Sequence, residues 1–117
     1  MFFLAMESHE VGADEKAKEI IRQNKHKFRY IGHTLHKLQK NEAKGKASNC
    51  SWCVQHLISE IFPIEIDESN IMLTIIDADS WCPEEYFETI KLMVKNEPDI
   101  FHKSIFCPPQ IYTRNNL

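Results

Sequence analysis

The sequence predicts an α/β domain: a mostly parallel sheet with helices on both faces. Apolar runs of strand length alternate with stretches whose apolar residues recur at helical spacing. The connections between those runs are long enough to be crossovers between parallel strands. The 117 residues, 43% hydrophobic and 26% charged, suffice for one core and are too few for two ordinary domains. The order read along the chain is β-α-β-α-β-α-β.

Residues 2–6 read as a short buried strand, and Val11-Gly12-Ala13 as the turn after it. Ala13, Ala17, Ile20 and Ile21 then recur at helical spacing. Asp14 and Glu15 stand in the first turn of that helix and Lys25, His26 and Lys27 in the last, so its dipole is complemented at both ends. Phe28-Arg29-Tyr30-Ile31, aromatic and β-branched, reads as a second strand, followed by a polar stretch to Gly45. Ser48 or Asn49 can cap a second helix, whose stripe Cys50, Cys53, Val54, Leu57, Ile58 and Ile61 runs until Pro63 stops it. After a turn at 67–70, residues 71–76 form an almost unbroken apolar run, the pattern of a strand in the middle of a sheet. Pro83, with Glu84 and Glu85 beside it, opens a third helix carrying Tyr86, Phe87, Ile90, Met93 and Val94, which Asn96 and Pro98 end. A last strand around residues 104–107 runs into Pro108-Pro109. So few strands leave sheet edge exposed, and the chain reads as a single partial domain over 1–117, cut from something larger.

Charge and composition narrow the function classes. A net charge of −3 and a pI near 6.0 argue against a general nucleic-acid binder, whose domain pI is usually above about 9. The mean conceals an asymmetry: residues 1–58 hold ten Lys/Arg against six Asp/Glu, and residues 59–117 four against eleven. Such halves suit an anionic ligand bridged by a metal, or are two ordinary solvated faces. The opening Met1-Phe2-Phe3-Leu4-Ala5-Met6 has no basic leader and Glu7 interrupts it, so it does not read as a signal peptide, and no run reaches a membrane span. The four cysteines read as thiols in a reducing compartment.

Four constellations could carry chemistry. Asp77-Ala78-Asp79 follows directly on the run 71–76, at the strand end where ligands of α/β sheets sit. In an extended segment residues i and i+2 point the same way, so both carboxylates could reach one hard cation with phosphate oxygens completing its shell; the alternative is a capping and turn role. Gly45-Lys46-Ala47-Ser48-Asn49 sets an ammonium and unpaired N–H groups at a helix start, either an anion site or an ordinary capped helix. Cys50-Ser51-Trp52-Cys53 with His56 invites a zinc or redox reading, but both cysteines lie on the apolar stripe and core packing is the better account. His33 and His36 are either ligands or polar residues of a loop or strand.

Taken together, Ala5-Met6-Glu7, Gly45-Lys46-Ala47-Ser48-Asn49 with Trp52, and Ile75-Ile76-Asp77-Ala78-Asp79-Ser80 resemble, in order and spacing, the nucleotide-binding half of family 2 glycosyltransferases. The likeness is to the cellulose-synthase and hyaluronan-synthase-like branch and related protist membrane proteins. Pro83-x-x-Tyr86-Phe87 and Pro108-x-Gln110 to Asn115 also look like that group. The resemblance implies a partial GT-A, Rossmann-like fold and metal-dependent transfer of a sugar from a nucleoside-diphosphate sugar to an acceptor hydroxyl, on a glycan or lipid. It places Glu7, Lys46, Asn49 and Asp77 at the nucleotide sugar, and Asp77 and Asp79 at Mn²⁺ or Mg²⁺. Ser48 stands where the family has Gly. The family's opening strand, its general base and its Gln-x-x-Arg-Trp segment are not found, so the resemblance implies an inactive fragment of a membrane-embedded parent. A non-catalytic α/β module that binds a nucleotide or a partner is the competing expectation.

Overall fold

The computed structural model describes residues 1–61, 71–101 and 103–106. They fall into two units, Met1–Ile75 and Ile76–Leu117.

The first unit is built on a parallel pair of strands, β1 (Phe2–Glu7) and β2 (Ile31–His36), in the register Phe2↔Ile31 through Glu7↔His36. Parallel neighbours need a crossover, and α1 (Ala13–Asn24) supplies it, followed by a 3-10 turn over Lys25–Lys27. The ladder extends by one bond at each end, the Phe2 amide donating to the Tyr30 carbonyl and the Ser8 amide to the His36 carbonyl, both at 2.9 Å. The strand expected at 28–31 is therefore displaced: it begins where that reading ended and runs through His36. The cause is chemical. His33 and His36 make the stretch look like a loop, but both find carboxylate partners and so can be carried in a strand. They stand three residues apart, hence on opposite faces of the sheet. His33 meets Asp14 of α1 at 2.8 Å, and His36 meets the Trp52 ring of α2 (Lys46–His56) with centroids 5.4 Å apart. One helix thus covers each face, the α/β arrangement expected.

The core is small and partly polar. Ala13 and Ala17 of α1 are buried, as are Cys53 of α2 and Leu57, where the helix continues as a π turn over Leu57–Ile61. Gly32 of β2 lets the Phe3 ring approach closely, since a Cβ there would lie 2.7 Å from Phe3 Cε1. The largest side chain fully buried among the described residues is His36. On the outer side of α1, Lys18 pairs with Asp14 and Arg22 grips Glu19 through two nitrogens; the guanidinium and the Gln23 amide hold the Glu19 carboxyl down to about 2.

Residues 71–76 do not form the central strand expected of them. They adopt no regular structure, and Met72, Leu73, Ile75 and Ile76 are all exposed. A strand exists only by pairing, and among the described residues the sheet consists of β1 and β2 alone. The second unit holds α3 (Tyr86–Asn96) and α4 (Pro98–Phe101). Pro83 does not open α3 from within; its carbonyl accepts the Tyr86 amide at 3.0 Å in the turn before it. The end at Asn96 and Pro98 is as read. Phe101 stacks on Phe106 at 4.5 Å, and Ser104, Ile105 and Phe106 lie outside any strand, contrary to the last strand expected there; Cys107 is outside the described residues. No helix among the described residues is long and apolar enough to cross a membrane.

Candidate functional site

The carboxyl ends of β1 and β2 lie side by side and end on charged residues. Glu7 and His36 are cross-strand partners, and Glu7 Oε2 stands 3.1 Å from His36 Nδ1. The other ring nitrogen, Nε2, stands 3.1 Å from Oε2 of Glu42, in the segment between β2 and α2. That segment turns at 39–42: the Glu42 amide donates to the Gln39 carbonyl, and the Gln39 amide donates to Glu42 Oε2 at 2.7 Å. A neutral imidazole has one N–H and one lone pair. With a carboxylate at each nitrogen, only the imidazolium donates to both. Burial by itself would push the His36 pKa down, but the hydrogen bonds it donates to Glu42 and Glu7, with the attraction of their charges, outweigh it and hold it above the ordinary 6.5. Glu42 moves the other way, its carboxyl held below the ordinary 4.5, first by the Gln39 amide and then, against burial, by His36.

The start of α2 is drawn to the same edge. Gly45 caps it with φ 149° and ψ −178°, a conformation open to glycine and to almost nothing else. Neither Ser48 nor Asn49 acts as the expected cap. Ser48 Oγ donates back to the Gly45 carbonyl at 2.8 Å, and Asn49 Nδ2 donates to the Ala5 carbonyl of β1 at 2.9 Å. The Asn49 bond ties the first turn of α2 to β1 two residues before Glu7. Oδ1 of Asn49 and Oγ1 of Thr34 are buried without a hydrogen-bond partner in the structure. Lys46 begins the helix and is exposed.

Of the residues expected at a ligand, the structure therefore brings Glu7, Lys46 and Asn49 to one end of the first unit. Asp77 and Asp79 lie in the second unit, exposed, and not at the end of a strand. The Ser80 amide donates to the Asp77 carbonyl at 3.0 Å, closing a turn, so the extended spacing that would align the two side chains is replaced by turn geometry. Among the described residues, no group of three or more His, Cys, Asp or Glu could hold a metal. Asp77 and Asp79 are all-oxygen donors suited to a hard cation, but only as a pair to which a phosphate or water would add ligands. Cys53 is buried as the stripe requires, whereas Cys50 is only half-buried and Ile58 is exposed, so the contact face of α2 is narrower than the sequence pattern.

Sequence reading missed Glu42 altogether and left His36 between ligand and polar strand residue. A histidine ending one strand opposite a glutamate ending the other was a usable signal once β2 was in register. Nothing in the spacing of Glu42 could show that it folds back onto the ring. Comparison with protein-family models, with curated proteins and with solved structures finds no match to this chain.

Proposed function

We propose that this chain is the donor-binding part of a metal-dependent glycosyltransferase with a GT-A, Rossmann-like fold. The observation that carries the reading is the Asn49 to Ala5 hydrogen bond, which ties the amino end of α2 to β1 near Glu7. A parallel β-α-β unit with a helix start at its strand ends is a general arrangement for phosphates and nucleotides, since the helix offers unpaired N–H groups and a positive dipole end to an anion. Lys46 adds an ammonium there, and Glu7 a carboxylate able to accept from ribose or base.

In the transfer, the anomeric carbon's bond to the diphosphate oxygen breaks and its bond to the acceptor oxygen forms. The nucleoside diphosphate leaves, and the acceptor's proton passes to a base that this chain does not identify. Asp77 and Asp79 of the second unit are the residues that would hold Mn²⁺ or Mg²⁺, a cation that would supply positive charge for a phosphate. Lys46 and the helix start would bind phosphate oxygens, while Glu7 would orient the nucleoside.

Titration calorimetry of the full chain with UDP-, GDP- and ADP-linked sugars, with and without Mn²⁺, tests the reading. The expected result is binding of one donor, strengthened by Mn²⁺, with the strengthening lost in Asp77→Asn and in Asp79→Asn. Binding of none overturns it. Binding indifferent to Mn²⁺ and to both substitutions replaces it with a non-catalytic nucleotide-binding module.

A further inference from the structure

We propose that Glu7, His36 and Glu42 form a proton-dependent latch, closed while His36 is an imidazolium, that holds segment 37–45 against the strand ends. The inference rests on the fold alone and does not need the nucleotide reading.

The geometry is specific. His36 is fully buried, and both ring nitrogens stand 3.1 Å from carboxylate oxygens that belong to different parts of the chain, Glu7 in β1 and Glu42 in the turn leading to Gly45. In the segment 37–45 the Glu42 carboxylate reaches the sheet through His36, whereas Gln39 bonds to Glu42 and to the Lys37 carbonyl within the segment. Losing the ring proton leaves one nitrogen's lone pair facing a carboxylate oxygen, with the ring itself buried, so one of the two contacts turns from attraction to repulsion. Glu7 stands in a strand paired along its length, whereas Glu42 stands in the turn between β2 and α2, held by Gln39 of the same turn. The contact that opens is therefore the one to Glu42.

Other groups stand close to the latch. The Trp52 ring, from α2, carries no charge, and His9, beside β1, lies 3.7 Å from the Glu7 oxygen. On the opposite face of the sheet, the α1 carboxylate Asp14 is occupied by His33 and Lys18.

Nuclear magnetic resonance on the full chain without ligand reads both halves of the proposal. The His36 ring C–H signals should titrate above 6.5, and the amide protection factors of residues 37–45 should fall about tenfold or more through that titration while those of α1 stay level. In Glu42→Gln the His36 titration should move down and the step in protection should disappear. A ring that titrates at or below 6.5, or protection in 37–45 that is indifferent to its titration, overturns the latch. So does a Glu42→Gln protein whose His36 titrates as before. Should that variant fail to fold, the wild-type measurements decide alone.

Discussion

Met1–Ile75 and Ile76–Leu117 both carry amphipathic helices, and among the described residues they are organised differently. In the first, each helix is tied to the sheet by a named polar contact, Asp14 to His33 for α1 and Asn49 to Ala5 for α2, and buried side chains lie on both helices. In the second, α3 carries an amphipathic pattern, yet none of the described side chains is buried, and Phe87, Leu92, Met93, Trp81 and Ile105 are exposed. Helical periodicity alone thus does not make a core. What distinguishes the first unit is a sheet for its helices to pack on, through polar as well as apolar contacts.

Truncating a side chain in each unit gives the largest expected contrast. Leu57→Ala removes a side chain that is only 7% exposed and should cost about 2–5 kcal/mol in urea unfolding, the usual range for a buried leucine. Leu92→Ala removes one that is 58% exposed and should change stability by less than about 0.5 kcal/mol. Equal effects would break the comparison. Gly45→Ala comes next. No atom stands in the way of the added Cβ, but φ 149° is closed to alanine, so about 1–3 kcal/mol of strain is expected, or an unwound first turn of α2 visible as lost helical circular dichroism. Lys46→Ala should weaken nucleotide-sugar binding by about 1.5–3 kcal/mol, the usual range for a lost charged hydrogen bond. A large fall in midpoint would make Lys46 structural.

Acid and base sharpen the comparison further, because His36 and Glu42 both belong to the first unit. The His36 pKa is raised on folding, so its contribution is complete below 6.5 and is lost as pH rises through the raised value. The Glu42 pKa is lowered, so its contribution is present above 4.5 and is lost as pH falls through the lowered value. Thermal midpoints should therefore be highest between those two ordinary values and decline on both sides. Glu42→Gln should flatten both flanks.

Much of the first unit was legible in the sequence. Residues 2–6 gave β1 to within one residue, and Ala13 and Ala17 marked the buried side of α1. Cys53 and Leu57 were rightly placed in the core, but Ile58 shows that stripe periodicity overstates burial when the opposing surface is narrow. The misplacement of β2 has a definite source: propensity favoured Phe28 to Ile31, while tertiary pairing of His33 and His36 with carboxylates made strand of a polar stretch. Residues 71–76 show the converse. Their apolar run satisfied every local criterion for a central strand, but pairing is supplied by other segments and cannot be read from the run itself. Glu42 was invisible for the same reason, because its role depends on a turn that brings it back to a buried ring.

The strand ends carrying Glu7, together with the helix start carrying Lys46 and Asn49, are proposed to receive a nucleoside diphosphate. Amide chemical-shift mapping of the full chain, titrated in turn with uridine and guanosine diphosphates, tests this most directly. The account predicts saturable shifts at Glu7, Lys46 and Asn49, with the outer face of α1 unmoved. Shifts confined to the outer face of α1, or no saturable shift with either nucleotide, would contradict it.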